Sequence, residues 1–435
     1  MNRRSFLAGT AATGAIVSAP LVKSGYAKNS PNDQINVAVV GLNGRGKAHI
    51  RYLSGIKGVK ITHICDVDQN MLDQGVDQVF DVTGEEPTPV VDFRDMMDNK
   101  DIHAVTLATP DHWHALHTIW ACQAGKDVYV EKPLSYCIRE GRKMIEAAQK
   151  YQRIVQVGTN HVSNPVVQEG IQLARNGAIG DIYMGRVVIF GRRSTIGRLP
   201  NGEVPDGVNW DLFLGPAPKR SYNENRYHYK WHWFWDTSTT EFGNNGVHYM
   251  DMVRRALNKQ VHPIQVNCDG GYYIHDSDQE VPNLQSATYK YDDGIMLEME
   301  VRSWYTNLEN GQIDGAFLYG SDGWMQLSNA GYKTYEQDSQ KPDLSRSKDS
   351  KEKHNALSHF ENFIQCVRSR RSQDLAAGVE QGHLSTTISH LGNIAYRTNR
   401  KLKFKPKAET FVNDVDADKY LTRKYREPFV VPDKV

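Results

Sequence analysis

Residues 35–46 read Ile-Asn-Val-Ala-Val-Val-Gly-Leu-Asn-Gly-Arg-Gly, an apolar run that passes directly into a glycine-rich loop. Glycines permit a tight turn, and free backbone amides at the start of the following helix face the pyrophosphate in dinucleotide-binding proteins. Asn43 replaces the middle glycine of the usual pattern, but asparagine also tolerates left-handed backbone angles. The stretch therefore predicts a strand, a turn and a helix, with an ordinary strand-to-helix turn as the alternative. The residues predicted to bind the dinucleotide here are Gly41, Asn43, Gly44, Arg45 and Gly46.

Asp66 distinguishes between the two nicotinamide dinucleotides. It follows the second predicted strand, where a carboxylate accepts hydrogen bonds from the adenosine ribose hydroxyls and repels a 2′-phosphate. We therefore predict NAD, rather than NADP, as the cofactor. The alternative is a solvated residue at a strand end.

Short β-branched runs alternate with amphipathic stretches over the first part of the chain, which is typical of a doubly wound parallel sheet. The predicted strands are 35–40, 59–65, 104–107, 127–131 and 154–157. The sequence therefore predicts an α/β fold that begins with such a sheet.

The pattern changes after a predicted helix at 166–175. Hairpin signals at Asp293-Gly294 and Asp322-Gly323 separate alternating runs and predict a second, mostly antiparallel sheet. Its predicted strands are 181–190, 264–273, 285–291, 295–302, 314–319 and 324–327. Three further helices are predicted at 247–257, around 357–367 and at 379–399, whereas the charged segment 341–353 is predicted to be an exposed loop.

The composition excludes several classes of function. The 435 residues carry 52 basic and 51 acidic side chains, a formal net charge of +1, which argues against a nucleic-acid groove or a membrane-surface patch. The five cysteines show no Cys-x-x-Cys spacing, which excludes a disulfide scaffold and a zinc ribbon. We expect chemistry on a small molecule, and buried cysteines.

The first thirty residues look like a segment outside the fold. Arg3 and Arg4 precede Phe6-Leu7 and an apolar stretch, which resembles a twin-arginine export signal with a cleavage site near Ala27. This pathway carries folded proteins, so we expect a periplasmic protein. The alternative is an uncleaved membrane anchor, and no other segment is expected to span a bilayer.

Chemistry is indicated at the end of the strand 127–131, where Lys132 follows Glu131 and precedes Pro133. Ligands bind at this edge of open α/β sheets, and a lysine there can hold a substrate hydroxyl by a charge-assisted hydrogen bond. Taken alone, such a tripeptide is more often a surface loop.

Together with other motifs, this tripeptide resembles the Gfo/Idh/MocA family of nicotinamide-dependent oxidoreductases over nearly all of the chain after residue 30. The motifs are the glycine loop, Thr109-Pro110-Asp111-His112-Trp113-His114, Glu131-Lys132-Pro133, the stretch 155–158, the stretch 209–216, Gly246-Val247-His248 and the stretch 392–395. The resemblance implies a Rossmann domain plus an α/β domain whose open sheet often forms oligomer contacts. We accordingly expect a homo-oligomer, either a dimer or a tetramer.

The resemblance also implies domain bounds and site residues. We predict a signal region 1–30, an NAD-binding Rossmann domain 31–160, and a substrate-binding and oligomerisation domain 161–435 whose C-terminal helices pack back on the Rossmann domain. Lys132 and His248 are expected to flank the oxidised sugar carbon. The cofactor-binding residues implied in addition are Thr109, Pro110, His112, His114, Glu131 and Lys132.

One position departs from the family pattern. Sugar dehydrogenases of the family usually carry an aspartate one helical turn before the histidine, and this chain has Asn244. A neutral amide orients His248 but does not stabilise its imidazolium, which puts a simple alcohol-dehydrogenase role in doubt. Glu241 and Asp236 are candidate substitutes, and Asn244 is retained as a predicted catalytic residue.

The segment 227–235 is strongly aromatic and is predicted to line a sugar pocket, with Tyr227 and Trp235 touching the substrate. A core-packing loop is the alternative. His228 and His232 are spaced like metal ligands, as are four residues near the fourth strand, but neither set matches a metal motif and no metal is predicted. That second set is Asp111, His112, His114 and His117.

Three functions remain compatible with these residues. Because NAD is a cytoplasmic metabolite, an exported enzyme is expected to keep it tightly bound, so the first interpretation is an NAD-bound oxidoreductase that acts on a saccharide. In that interpretation Lys132 polarises the hydroxyl and His248 shuttles its proton. The second is a redox-assisted glycosidase resembling the NAD-requiring family-109 glycoside hydrolases. The third is a non-catalytic sugar-binding protein.

Overall fold

The computed structural model describes residues 34–304, 307–349 and 355–435. The predicted export signal therefore lies outside the described residues. Within them, no helix combines the length and the apolar composition that a bilayer crossing demands.

The first sheet consists of six parallel strands that alternate with helices. Its strands are β1 (Ile35–Val40), β2 (Val59–Cys65), β3 (Thr88–Val90), β4 (Ala104–Leu107), β5 (Asp127–Val130) and β6 (Val155–Val157). Its helices are α1 (Arg45–Ser54), α2 (Gln69–Thr83), α3 (His114–Gln123) and α4 (Ile138–Lys150). All residues of β4 and β5 are buried, as expected of strands that helices cover on both faces.

The spatial order β3-β2-β1-β4-β5-β6 reverses direction between β1 and β4. In open α/β sheets, ligands bind outside the carboxyl ends of the strands at such a reversal. The topology therefore positions a binding crevice beside the glycine-rich loop that follows β1.

The second sheet has ten described strands, in the order β14-β13-β12-β11-β7-β10-β9-β8-β15-β16. Among these strands only β7 and β10 pair in parallel, and the other neighbours run antiparallel. The strands are β7 (Ile182–Ile189), β8 (Gln265–Gly271), β9 (Leu284–Lys290), β10 (Met296–Arg302), β11 (Asp314–Gly320), β12 (Gly323–Ser328), β13 (Gly331–Glu336), β14 (Leu344–Ser347), β15 (Leu402–Lys405) and β16 (Thr410–Phe411). The helices of this part are α5 (Pro165–Arg175), α6 (Trp210–Leu214), α7 (Val247–Ala256), α8 (Asn355–Ser369), α9 (Val379–Thr398) and α10 (Val415–Asp418).

One face of the second sheet is covered by helices, whereas the other face is only partly exposed, since Val188 and Phe317 are buried on it. Along β10, buried residues alternate with less buried ones, and the buried side joins a core with α5, α7 and α9. On the strands of the same sheet, Tyr183 and Met296 are exposed. These observations confirm the predicted fold class, a doubly wound parallel sheet followed by an α/β part with a mostly antiparallel, open sheet. The five cysteines are free and buried, as expected.

The differences from the sequence predictions lie at sheet edges or one strand inside them. The predicted loop 341–353 is wrong in part, because β14 pairs with β13 at the edge of the second sheet. The strands β3, β13, β15 and β16 were not predicted either, of which β3 and β16 are edge strands and β13 and β15 lie next to an edge. Edge strands are short and face solvent, so they lack the continuous apolar run or regular alternation that identifies an inner strand.

The C-terminal part of the chain packs on the first sheet. Phe360 of α8 stacks on Tyr129 of β5 with ring centroids 4.1 Å apart. The tail residue Phe429 meets Trp113 edge to face at 5.4 Å. Both sheets belong to one compact unit, Gln34–Val435. The domain bounds at residues 160 and 161 stay a prediction.

Candidate active site

The loop after β1 needs glycine at two positions for steric reasons. Gly41 has a φ of 80°, and a Cβ there would lie 2.8 Å from the backbone of Ala108. A Cβ on Gly46 would lie 1.8 Å from the carbonyl oxygen of Gly41. At Gly44 the space is open, since a Cβ there would meet no described atom within 4 Å. The loop therefore closes tightly on the protein side and leaves room at the start of α1, where a pyrophosphate would bind.

Asp66 lies at the carboxyl end of β2 and closes the other side of this space. Its carboxylate accepts hydrogen bonds from the backbone N–H of Leu42 at 2.7 Å and of Asp68 at 3.1 Å. Burial raises its pKa to about 6 despite these hydrogen bonds. The carboxylate is thus oriented beside the glycine loop, where a ribose would lie.

A cleft of about 410 Å³ runs along the carboxyl ends of β1, β2, β4 and β5. Asp66 follows β2 and Lys132 follows β5, so the strand order places them toward opposite ends of the cleft. The predicted site residues that line it are Gly41, Asn43, Gly44, Arg45, Asp66, Thr109, Pro110, Glu131, Lys132, Tyr227 and Asn244. The open space above the loop and the acid beside it fit a dinucleotide.

Lys132 is held at the end of the cleft by two hydrogen bonds to Asn244. Its Nζ donates to the backbone oxygen of Asn244 at 2.8 Å and to the Asn244 side-chain oxygen at 3.0 Å. Burial lowers the pKa of Lys132, although Glu131 and Asp111 act in the opposite direction. Asn244 therefore orients the ammonium group rather than a histidine.

Glu131 stabilises the end of β5 through contacts with two basic side chains. Its Oε1 accepts from Arg45 Nε at 2.7 Å and lies 3.1 Å from His49 Nε2. Burial opposes ionisation, but Arg45 and His49 outweigh it and hold the pKa of Glu131 well below its usual range. A Cβ on Gly158 would lie 2.9 Å from the other carboxylate oxygen, so the residue after β6 also needs to be glycine.

Two histidines of the segment after β4, His112 and His114, bind backbone oxygens of the protein. His114 places its ring nitrogens 2.7 Å from the oxygen of Pro133 and 2.9 Å from the oxygen of Thr109, and so joins two cleft loops. His112 lies 3.0 Å from the oxygen of Phe213. Neither histidine is among the residues that line the cleft.

The same segment does not form a metal centre within the described structure. Asp111 accepts from the backbone N–H and the hydroxyl of Thr239, at 3.1 and 2.7 Å. His117 stacks between Trp113 and Phe93, with ring centroids 4.3 Å from each. These side chains are therefore occupied by protein contacts and an aromatic stack.

His248 and Trp235 lie outside the set of cleft-lining residues. His248 stacks on His161 with ring centroids 4.2 Å apart. Trp235 packs against Tyr396 and the guanidinium of Arg397. The stacked partner His161 was not predicted from the sequence, since nothing in the local pattern marks it.

Glu241 and Asp236, the two carboxylates considered as partners of His248, bind other residues. Glu241 accepts from Arg193 at 2.9 Å and from the side-chain amide of Asn245 at 2.9 Å. Asp236 pairs with Arg220. Glu241 also lies 3.4 Å from the Asn244 amide, so it positions Asn244.

The aromatic segment 227–235 lines the cleft with several side chains in addition to Tyr227. Tyr227 lines the cleft and donates its hydroxyl hydrogen to Asp68 at 3.0 Å. Phe93 and Trp120 also line the cleft and were missed by the sequence interpretation, whereas four other lining residues belong to the predicted aromatic segment without having been predicted singly as site residues: His228, Tyr229, Trp231 and His232. The sequence signal for those in segment 227–235 was its aromatic composition.

A separate cluster offers metal-type side chains, away from the cleft. His262, His383 and Glu409 place one ligand atom each within 4.8 Å of one another. Both histidines hydrogen-bond the same carboxylate oxygen, at 3.0 and 2.7 Å, and Arg142 forms an ion pair with it. The arginine pairs with the carboxylate, so the four side chains form a partly buried ionic network.

The fold and the site together are those of a dinucleotide-binding protein. Residues 35–159 match the oxidoreductase-family NAD-binding Rossmann fold, and residues 191–431 match the C-terminal alpha/beta domain of the same family. The chain belongs to the Gfo/Idh/MocA oxidoreductase family, and NAD is the cofactor of its Rossmann domain.

Solved structures show the same fold at low identity. The WlbA dehydrogenase from Bordetella pertussis, in complex with NADH and UDP-GlcNAcA, has 19% identity and a TM-score of 0.64, with 86% of this chain and 98% of that chain covered. The aldose-aldose oxidoreductase from Caulobacter crescentus, complexed with glycerol, has 18% identity and a TM-score of 0.63, covering 85% and 100%. A levoglucosan dehydrogenase in complex with NADH and levoglucosan has 16% identity and a TM-score of 0.65, covering 85% and 99%.

Curated relatives are similar over a shorter stretch. A glycosyl hydrolase family 109 protein from Shewanella baltica is 28% identical over 208 residues, which is 42% of this chain and 45% of that protein. The chain thus spans about half the length of the curated relatives that it matches.

Proposed function

We propose that this protein is an exported oxidoreductase that keeps NAD tightly bound and oxidises a hydroxyl group of a saccharide or sugar derivative. The observation that carries the proposal is the placement of Lys132 at the end of the dinucleotide cleft, with its ammonium group fixed by Asn244. The solved proteins of this fold that are named with sugars or sugar nucleotides support the substrate class.

Different residues along the cleft would bind the cofactor and the substrate. Asp66 would hold the adenosine ribose, and the amides of the glycine loop would face the pyrophosphate. Lys132 would donate a hydrogen bond to the oxygen of the reacting hydroxyl and stabilise negative charge there. When bound, NAD supplies a hydride acceptor. The Arg45–Glu131 pair keeps the end of β5 rigid, so that Lys132 stays aligned.

Export and tight cofactor binding are linked in this proposal. The paired arginines Arg3 and Arg4 and the apolar stretch after them support a twin-arginine route to the periplasm. Outside the cytoplasm a released cofactor is not replaced, so a bound one must be regenerated in place. This favours a hydride that returns to the same sugar or to a second one.

A redox-assisted glycosidase is the second candidate function. Asn244 occupies the place of the usual family aspartate and binds Lys132, which leaves His248 without a carboxylate partner among the described residues. The family-109 relatives support this candidate over the part of the chain that matches. Transient oxidation of a sugar hydroxyl to a carbonyl would acidify the neighbouring C–H bond, so that loss of this proton expels the aglycone, water adds and the hydride returns.

The decisive experiment uses the full chain purified from the export compartment. Bound nucleotide is released by denaturation and identified, and the native protein is incubated with free sugars and nitrophenyl glycosides. Absorbance of the enzyme-bound NADH that forms when a free sugar is added supports the oxidoreductase, whereas release of nitrophenol without net NADH supports the glycosidase. Sugar binding without either reaction would contradict both and indicate a non-catalytic sugar-binding protein.

A further inference from the structure

Residues 207–233, which we call the strap, are fixed to the first sheet at the end of β2. The backbone N–H of Gln69 donates to the oxygen of Gly207 at 3.0 Å. The backbone N–H of Asn209 donates to the oxygen of Val67 at 2.8 Å. The start of the strap therefore lies directly beyond the carboxyl end of this strand.

A second set of contacts fixes the strap beyond β4. Trp113 Nε1 donates to the backbone oxygens of Leu212 and Phe213, at 3.1 Å each. A ring nitrogen of His112 lies 3.0 Å from the same Phe213 oxygen. Within the strap, the rings of Phe213 and Tyr227 meet edge to face with centroids 5.0 Å apart, and both are buried. The strap is thus held by backbone contacts and by a small core of its own.

The strand order determines where the strap runs between these two anchors. In the first sheet β1 lies between β2 and β4. A segment that is fixed beyond β2 and beyond β4 therefore passes the carboxyl end of β1, where the glycine loop would bind the pyrophosphate. Residues of the strap and of the glycine loop line the same cleft. The strap accordingly covers the part of the cleft that would hold the phosphates and the adenosine ribose.

His228 connects the strap to the glycine loop by a direct hydrogen bond. Its Nδ1 lies 3.0 Å from the side-chain nitrogen of Asn43, and its Nε2 lies 3.2 Å from Oδ2 of Asp68. The side-chain oxygen of Asn43 accepts from the N–H of Gly44 at 2.8 Å, which identifies the atom that faces His228 as the amide nitrogen. Because an amide nitrogen only donates, Nδ1 accepts and Nε2 carries the hydrogen that goes to Asp68. One neutral tautomer satisfies both contacts.

Asp68 is a fixed point for these hydrogen bonds, whereas their outer members face solvent. The Asp68 carboxylate caps α2 by accepting from the N–H of Asn70 at 2.9 Å, and it also accepts from the Tyr227 hydroxyl at 3.0 Å. The His228 side chain is 38% exposed, and Asn43 is exposed. The contact between His228 and Asn43 can therefore open while the buried anchors stay in place.

We propose that the hydrogen bond between His228 and Asn43 is a clasp, which closes the strap over bound NAD and slows both the entry and the release of the cofactor. The inference rests on the proposed function and names the contact that retains its cofactor. In an exported protein the release rate determines how long NAD stays, because a lost molecule is not replaced. The clasp also explains Asn43, since the glycine of the usual pattern has no side chain to bind His228.

The test measures NAD binding and release in two variants of the full chain. Asn43→Gly restores the glycine of the usual pattern. His228→Gly removes the imidazole, and glycine tolerates the φ of 48° at this position. Each change removes hydrogen bonds of the clasp, so we expect release and binding both to become about tenfold faster, with little change in Kd.

The two rates are measured without turnover. Release is followed by diluting protein loaded with radiolabelled NAD into excess unlabelled NAD. Binding to cofactor-free protein is followed by tryptophan fluorescence, because Trp113, Trp120 and Trp231 line the cleft. Asn258→Gly is the matched control, since Asn258 is exposed, has a φ of 53° and follows α7 outside the set of cleft-lining residues. Wild-type rates are expected in the control.

The double variant Asn43→Gly/His228→Gly separates a direct contact from two unrelated effects. If the two side chains bind each other, the double variant is no faster than the faster of the single variants. If the two accelerations multiply instead, the side chains act independently and the clasp is refuted.

Hydrogen exchange of the cofactor-free protein provides a second measurement. In Asn43→Gly we expect the backbone amides of residues 228–233 to exchange faster than in the wild type, although the sequence of the strap is unchanged. Asn258→Gly is expected to leave this exchange as it is. Equal exchange of the peptide in Asn43→Gly and in the wild type would contradict the clasp.

The outcomes separate the clasp from the proposed function. Unchanged NAD rates in both single variants overturn the clasp while the oxidoreductase stands. Faster release with unchanged binding also overturns it, because this result indicates a direct contact between the altered side chain and NAD. A wild-type protein that retains NAD through the clasp but transfers no hydride refutes the proposed function alone. A protein that does not bind NAD refutes both.

Discussion

At the scale of single residues, Lys132 combines burial, a fixed hydrogen-bond geometry and a place at the end of the cofactor cleft. Its ammonium group makes two hydrogen bonds to the same residue, Asn244. This arrangement leaves one N–H free for a substrate oxygen, because an ammonium group has three donors. The lysine is therefore a point of attachment for a hydroxyl group.

Lys132→Met is expected to abolish measurable turnover while NAD stays bound. The methionine side chain is of similar length but carries neither charge nor donor, so the reacting oxygen loses its electrostatic partner; the expected loss in kcat is about 10²-fold or more. The glycine loop and Asp66 are untouched. Rates and bound nucleotide are measured on the same preparation.

Lys47→Met serves as the control for Lys132→Met. Lys47 bonds the side chain of Gln74 at 2.9 Å on an exposed helix face and lies outside the cleft. Normal rates are expected in this variant. Normal rates in Lys132→Met as well would refute the assigned role of Lys132.

Asp66 predicts a pH dependence of NAD binding. Its pKa in the protein is about 6, raised by burial, and ribose hydroxyls donate to its ionised form. Binding is therefore to the charged form, so affinity is constant well above pH 6 and is lost as the pH falls through that value, by up to about tenfold per pH unit. Titration of apo-protein with NAD between pH 5 and pH 8 measures this.

Asp66→Asn removes the titrating group. The variant is expected to bind NAD more weakly at neutral pH and to show a flat profile over the same range. If the wild-type protein binds equally well at pH 5 and pH 8, Asp66 does not hold the cofactor in its ionised form.

At the scale of elements, the turn between β1 and α1 depends on close backbone contact. A Cβ on Gly46 would overlap the Gly41 oxygen at 1.8 Å, and only movement of α1 away from β1 relieves it. A dinucleotide would bind to the backbone amides of this turn. A side chain at position 46 that moves α1 is therefore expected to weaken cofactor binding as well as packing.

Gly46→Ala is expected to lose NAD binding and to lower stability by about 1–3 kcal/mol, the cost of overpacking a closed site. Urea unfolding and calorimetric NAD titration check the two effects. Gly55→Ala, at the other end of the same helix, is the control, since its nearest atom would be 3.6 Å away in ordinary contact. Equal behaviour of the two variants would contradict the steric account.

At the scale of the whole molecule, the end of the chain completes the core of the first sheet. Phe429 is 2% exposed and contacts Trp113, which follows β4 far earlier in the sequence. The guanidinium groups of Arg94 and Arg426 lie over the same ring, at 5.3 and 4.9 Å. The C-terminal tail thus stabilises the wall of the cofactor cleft.

Phe429→Ala is expected to destabilise the protein by about 3–5 kcal/mol, because a buried ring is replaced by a cavity. Val415→Ala is the control, since Val415 is 75% exposed. Thermal unfolding of both variants, followed by circular dichroism, measures the difference. A melting temperature of Phe429→Ala equal to that of the control would show that the tail is dispensable for the core.

The sequence determined the features that arise from local backbone sterics and side-chain periodicity. The inner strands, the glycine loop, Asp66 and the lysine after β5 were predicted at their observed positions, because β-branched runs, glycine turns and strand-end residues act within a few residues of chain. The family motifs supported the NAD cofactor that the glycine loop and Asp66 already indicated.

Only the tertiary structure decided which side chains share the cleft. His232 lines the same cleft as Lys132 although the two are distant in sequence, whereas His248 stacks on His161. The local sequence around each histidine does not predict this difference, because contacts in the fold set the orientation of each ring. For His232 these contacts are the Trp231 ring and the Tyr229 carbonyl group. Contacts between distant segments depend on how the two sheets pack, and that packing is a property of the whole chain.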